Sequence, residues 1–454
     1  YELERLDGDS GYADALRANS KGAANITLET ALDYAHLGLF IEAATLLAES
    51  DRPDCIDPLL HYMRGWCLFQ DGDPAAADAA FAQASALSPD CVPALQLAMQ
   101  RDPTDARAPY YLGNFWYAHR QYQDAITCWE HSRRLDEEFP TVHRNLGVAY
   151  MNKRHDAAKA QIAYERAFAL NNEDARVFFE LDQLYKMNNE PPAARLARLE
   201  QHRPLVDQRD DLTLERIALL NLTGQHHEAL AILTTRNFHP WEGGEGKTAA
   251  QYVFSLVELA KWAIDDGAYA EAITLLERAR IYPPNLGEGK LSGAHENQLD
   301  YYQGCAYRAL KQEEHAQHYF TAASAGQLDL VSPRYYNDQP PELIFYQGCA
   351  YQELGQIAQA HAIFERMIDY GRVHVDDVMQ PDYFAVSLPD FVVFEADLSR
   401  RNRLHCHILI ALGAFGLGDV ALCELQTQAV LTLDAYNQPM SMVMRSIAKN
   451  GKGN

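Results

Sequence analysis

The chain has 454 residues, 48% hydrophobic and 22% charged, more than one compact core usually holds, so it is a set of domains or a repeat array. Its 63 acidic residues against 39 Lys and Arg leave a formal charge of −24. That field repels phosphate backbones and anionic lipid heads, which excludes nucleic acid and membrane surfaces as partners unless a local basic patch overrides it.

No window reaches the roughly 18 to 20 apolar residues of a membrane-spanning helix, and Tyr1-Glu-Leu-Glu-Arg5 has neither the basic head nor the apolar core of a signal, so a cytoplasmic location is expected. Because the chain opens on Tyr and its amphipathic pattern starts almost at once, it is expected to be part of a longer polypeptide with a further N-terminal domain. Eight cysteines without a C-x-x-C pair are expected to be reduced, buried thiols.

After a lead-in over 1–24, one grammar recurs: a small residue, an aromatic or large apolar residue three later, a turn residue four after that, then Ala and another large apolar residue. It reads Ala31, Tyr34, Gly38, Ala43, Leu47, then Gly65, Leu68, Gly72, Ala77, Phe81. It continues as Gly113, Trp116, Arg120, Ala125, Trp129, and as Gly147, Tyr150, Arg154, Ala160, Tyr164. Later copies follow at Tyr185, Asn189, Ala194; at Ile217, Gly224, Ala229; and at Ala260, Gly267, Ala272. Leu299-Asp-Tyr-Tyr-Gln-Gly-Cys-Ala-Tyr307 then returns 44 residues later as Leu343-Ile-Phe-Tyr-Gln-Gly-Cys-Ala-Tyr351, and Ala411, Gly418, Cys423 close the series.

Each first half has helical spacing, the Gly or Asn suits a left-handed helix stop, and the Ala lets a second helix pack back closely. About ten helix-turn-helix units result. Asp182 stands where a small residue is usual, Lys311 replaces a turn Gly, and Arg236 occupies a usual Ala position.

Turn spacing divides the chain. The intervals 38 to 72, 120 to 154, 154 to 189 and 189 to 224 are 34 or 35 residues, and later ones are 43, 44, 44 and 63. This gives a regular array over 25–237, an insert-bearing array over 238–440 and a tail over 441–454. Between turns 72 and 120, Ala98-Met-Gln-Arg-Asp-Pro103 reads as the exit of a second helix whose first is missing, leaving open a truncated repeat or an omitted stretch near 90–103.

The inserts are Phe238–Lys247, Pro283–His295, Val331–Pro341 and roughly 370–402. Gly246-Lys-Thr248 lacks the earlier Gly and the strand of a phosphate loop, and Gly244-Glu-Gly-Lys-Thr-Ala249 lacks the strands of a dinucleotide fold. Gly-Glu-Gly-Lys occurs twice ahead of a helix, so backbone N–H groups with Lys247 or Lys290 could face an anion. Glu245 and Glu288 could instead accept sugar hydroxyls, cap the helix or lock the loops together, and Trp241 beside Glu242 could hold a sugar ring or peptide side chain.

Asn337, Asp338 and Arg401 are further insert candidates. His405 and His407 fall on different helix faces, and His315 and His318 lack a third ligand, so no metal is expected. Neither Asp210-Asp211, Asp376-Asp377 nor any Ser–His–Asp spacing points to catalysis, and no catalytic residue or cofactor is assigned.

The pattern Gly65 to Pro89 and Ala260 to Pro284 resembles the tetratricopeptide repeat family. That resemblance implies an all-α, right-handed α-solenoid whose first helices line a groove for a protein or peptide. Asn114, Asn145 and Arg176 fall on groove positions used there to grip peptide backbones, while Tyr110 and Glu180 replace the basic residues of a carboxylate grip. His239-Pro-Trp-Glu-Gly-Gly-Glu-Gly-Lys247, Tyr335-Tyr-Asn-Asp338, Tyr383-Phe-Ala-Val-Ser-Leu-Pro-Asp390 and Arg400-Arg-Asn-Arg-Leu-His405 further resemble the C-terminal repeats of large bacterial proteins. In those proteins a mutarotase-like β-rich domain precedes the array, which implies a carbohydrate context. The expected function is a non-enzymatic docking module for a protein or peptide, first of all for its own upstream domain. The rival is a carbohydrate-binding protein whose inserts complete a sugar site.

Overall fold

The computed structural model describes residues 24–49, 58–84, 92–241, 243–331, 340, 342–379, 393–394, 397–441 and 443. The lead-in, Cys55, Cys91, Glu242, Asn337, Asp338, the segment Tyr383–Asp390 and most of the tail lie outside them. Helices form two compact units, one up to Asn172 and one from Glu173, a division by packing that differs from the division by inserts at residue 237.

The first unit holds α1 (Ala24–His36), α2 (Phe40–Glu49), α3 (Pro58–Gln70), α4 (Pro74–Ala84), α5 (Val92–Arg101), α6 (Arg107–Ala118), α7 (Tyr122–Leu135), α8 (Pro140–Arg154) and α9 (Ala157–Leu170). The second begins with α10 (Ala175–Met187), α11 (Pro192–Gln201), α12 (Arg203–Val206), α13 (Asp210–Leu222), α14 (His226–Thr235), α15 (Lys247–Asp265) and α16 (Tyr269–Ala279). It continues with α17 (Asn297–Ala309), α18 (Glu313–Ala323), α19 (Glu342–Glu353), α20 (Ile357–His374), α21 (Leu398–Leu417) and α22 (Val420–Leu433). No strand occurs among the described residues, so the fold is an all-α solenoid of helical hairpins.

Each hairpin turns on a left-handed residue: Gly38, Gly72, Arg120, His155, Asn189, Gly224, Gly267, Lys311, Gly355 and Gly418, all with φ between 52° and 90°. The expected stop at Arg154 is corrected by one place. Helix α8 carries an extra residue after Gly147, ends on Arg154, and leaves the left-handed turn to His155.

The small positions explain the close pairing. A Cβ on Gly65, Gly113, Gly147, Gly304 or Gly348 would lie 2.4 to 2.7 Å from the ring of Phe81, Trp129, Tyr164, Phe320 or Phe364 on the second helix of its hairpin. The matching Ala43, Ala77, Ala125, Ala160, Ala229, Ala272, Ala316 and Ala360 are fully buried. Ala194 is the exception, because it is exposed. Its helix starts three residues after the turn at Asn189, not two as elsewhere, because Pro191 is its cap, and the inward position passes to Arg195.

Between α4 and α6 the described residues hold one helix, α5, packed on α3 and α6, with Arg101 paired to Asp78 of α4.

Candidate functional site

The two departures at Asp182 and Arg195 answer one another. Asp182 of α10 sits where five other hairpins have Gly, Arg195 of α11 sits where eight others have Ala, and each is 1% exposed. Arg195 Nε donates to Asp182 Oδ1 at 3.0 Å, and its Nη2 bonds both Asp182 Oδ2 and, at 3.0 Å, Glu215 Oε2 of α13. Lys186 Nζ closes the cluster on Glu215 at 2.8 and 3.1 Å.

Burial by itself raises a carboxyl, but Lys186 and Arg195 outweigh it and hold Glu215 at about 2, while burial pushes Asp182 upward against the pull of Arg195. Lys247, at the start of α15, feels the same field. Burial and then the charge of Lys186 lower its ammonium, against Glu215 and Glu245. The residue is still exposed, so water offsets part of that burial.

The C-terminal segment lies over this face. After α22 the chain turns at Asp434, whose carboxylate accepts from Tyr436 N at 3.0 Å, and Asn437 starts a new helical turn by accepting from Met440 N at 3.1 Å. Met440 is fully buried in its own end of the unit, in one apolar cluster with Leu409, Leu412 and Val430.

The opposite side of the segment meets helices more than 180 residues earlier. Asn189 Nδ2 donates to Thr432 O at 2.8 Å and Leu433 O at 3.2 Å, and its Oδ1 accepts from Ala435 N at 3.3 Å. Tyr436 OH donates to Glu190 O, and its ring lies under the Arg195 guanidinium at 4.6 Å. Gln438 pairs its amide with Gln251 of α15 at 3.1 Å and donates to Ala218 O of α13 at 3.2 Å. Arg400 of α21 also donates to Leu433 O.

Further along α15, Lys261 pairs with Glu258 at 2.7 Å and stands 5.7 Å from the Tyr302 ring. Tyr302 packs against Tyr346 at 5.8 Å, and Tyr346 OH accepts from Gln298 at 2.8 Å. The face from α10 to α19 therefore presents amides, two Glu–Lys pairs and tyrosines.

The inserts make a separate layer. Phe238 N donates to Asn285 O at 2.8 Å, and Asn285 Nδ2 donates to Leu233 O and Arg236 O, each at 2.8 Å. Glu288 accepts from Gly246 N at 2.9 Å with both oxygens, so the carboxylate facing the start of α15 comes from the chain itself. Burial raises the Glu288 carboxyl while the Gly246 N–H opposes that shift.

Lys290 pairs with Glu296 and donates to Arg280 O at 3.2 Å. Trp241 is half-buried with its ring against Gly244, where a Cβ would lie 2.1 Å from it, and Glu245 is also half-buried. Asp210 holds Arg236 at 2.6 Å and His239 at 3.1 Å.

The remaining candidates are dispersed. In the first unit Asn114 Oδ1 accepts from Trp129 Nε1 at 3.1 Å and Asn145 Nδ2 at 3.0 Å, an amide ladder bridging α6 and α8. In the second unit Arg176 reaches back to the buried Glu180 at 3.0 Å, and Arg401 is exposed on α21.

His405 is hydrogen-bonded to Leu330 O and His407 to Gln426, and no group of three His, Cys, Asp or Glu gathers among the described residues. Burial pushes the Cys305 thiol up to about 12 and Cys128 and Cys406 to about 11, which keeps them protonated and poorly nucleophilic. Sequence reasoning flagged Asp182 as irregular but missed Arg195, Glu215, Gln251 and Tyr436. The only signal for Arg195 was the proline pair that delays α11.

Residues 59–91 match the family model described as tetratricopeptide repeat. That match covers the hairpin of α3 and α4. Among solved structures the chain is similar to YrrB, titled a TPR protein with an unusual peptide-binding site, at 15% identity over 50% of this chain and 90% of that one, with a TM-score of 0.28. It is also similar to a tetratricopeptide repeat protein from Parabacteroides merdae ATCC 43184, at 15% identity over 58% and 90%, with a TM-score of 0.29. The TPR domain of P58(IPK) matches at 13% identity over 76% and 92%, with a TM-score of 0.26. No described helix is long and apolar enough to cross a membrane.

Proposed function

We propose that this chain is a non-enzymatic, cytoplasmic docking scaffold that holds a protein or peptide segment against the α10–α19 face of its second unit. Tetratricopeptide repeats are generally protein-interaction modules, and their fold is generally non-catalytic. The supporting observation is Asn189. Its one amide donates to two backbone carbonyls and accepts from a third residue's N–H, a grip that reads a segment without regard to its side chains. The expected upstream domain of the same polypeptide is the first partner to try.

A carbohydrate reading draws on the half-buried Trp241 ring against Gly244, in the insert that also carries Glu245 and Lys247, with the bacterial mutarotase-like context behind it. Calorimetric titration of peptides, the upstream domain and oligosaccharides against this chain and a longer one separates the two. Binding of the domain or a peptide here supports docking. Oligosaccharide binding that needs the longer chain, with no protein bound, refutes it.

A further inference from the structure

The joint between the C-terminal segment and the α10–α15 face differs from the other joints of the second unit. Neighbouring hairpins bury alanines, leucines and aromatic rings against one another. Here the links are side-chain amides, one phenol hydroxyl and one guanidinium–ring contact. Residues 433–438 are all half-buried, and the one sealed anchor nearby, Met440, is sealed into the segment's own end of the unit. Joints with little apolar burial open at lower cost than core joints.

We infer that residues Leu433–Gln438 are a built-in ligand that occupies the segment-binding site and competes with an external segment of the same chemistry. That chemistry is a turn of the form Asp-x-Tyr-x-Gln. Asp434 makes the turn by capping Tyr436 N, Asn189 takes the backbone, and the glutamine amide pairs with Gln251. The tyrosine is the selective element. Arg195 is pinned by Asp182 and Glu215, so its guanidinium face is already oriented for an aromatic ring, and Glu190 O accepts the phenol's hydrogen bond. This inference rests on the docking reading above, since a face that holds no segment has nothing to compete for.

The test uses the full chain carrying Tyr436→Ala and Gln438→Ala, which leaves the receiving face and the Met440 anchor untouched. The probe is a fluorescein-labelled peptide of residues 431–441, followed by anisotropy. The double variant should bind it at least tenfold more tightly than the unaltered chain does, and adding Asn189→Gly should cancel the gain. Equal or absent binding by a variant with unaltered helical circular dichroism overturns the inference. A partner that binds both chains equally would leave docking standing while sinking self-occupancy. Should the variant lose helicity, amide exchange on the unaltered chain decides. The Ala435 amide should exchange at least tenfold faster than that of Leu409, and equal protection would mean a fixed seam.

Discussion

Replacing Gly348 by Ala sets two effects of known size against each other. Gly348 is inside α19, so helix propensity alone favours Ala by about 1 kcal/mol. The added methyl, however, would lie 2.4 Å from Phe364 Cε1 and 2.7 Å from Cζ, and that ring is fully buried on α20. The ring has little room to retreat, because Gly416 of α21 meets the same edge, its own Cβ position lying 2.5 Å from Cδ1 and Cε1.

Overpacking of this kind costs about 1 to 3 kcal/mol, and confinement by two helices argues for the upper end, leaving a net loss of roughly 2 kcal/mol. For a unit of this size that corresponds to a fall of about 4 to 8 °C in melting temperature, read by far-ultraviolet circular dichroism. Gly348→Leu should lose more, and adding Phe364→Leu to Gly348→Ala should recover at least half. A melt that stays level or rises would mean that propensity wins and the ring is not against Gly348.

Asp182→Ala leaves the buried Arg195 guanidinium with Glu215 as its remaining carboxylate and should cost about 3 kcal/mol in chemical denaturation. The pair Asp182→Gly with Arg195→Ala restores the ordinary hairpin pattern and should cost far less, and equal losses would break the claimed coupling. Glu215 has its folded value depressed from 4.5 to about 2, so its stabilising contribution is present above 4.5 and is lost as the pH falls toward 2. Glu215→Gln should therefore cost up to roughly 3 kcal/mol near neutrality, with the gap to the unaltered chain closing below pH 4.5. Glu288→Ala should weaken the start of α15 by about 1 kcal/mol, seen as faster exchange of the Gly246 amide by about fivefold. If the inserts bind ligand, Trp241→Ala with Lys247→Ala should abolish binding at unchanged helicity, and joint loss of both would assign them a structural role.

The hairpin array was legible because each unit obeys local rules. A small residue, an aromatic and a turn residue at fixed spacing report one helix pair each, and nine of the ten expected stops coincide with left-handed residues. His155 replaced Arg154 because spacing cannot see one extra residue at a helix end. The Asp182–Arg195 pair was half visible: Asp182 looks like an isolated fault, while Ala194 fills the expected small position and hides Arg195 until α11 is known to start late. The C-terminal contact was not legible at all. Asn189 and Ala435 are 246 residues apart, their bonds involve backbone atoms, and no periodicity links them. The doubled Gly-Glu-Gly-Lys was read as loop, anion site or cap, and only the fold shows Glu288 on Gly246.

Four of the ten stops are not glycine: Arg120, His155, Asn189 and Lys311. A protein engineer regularising the array would write glycine at all four, relieving backbone strain each time. At three of them the exchange is a gain to be weighed against ordinary surface contacts. At Asn189 it would also sever the chain's last turn from its middle, so a sequence averaged toward its own repeats would be sturdier hairpin by hairpin yet left ajar.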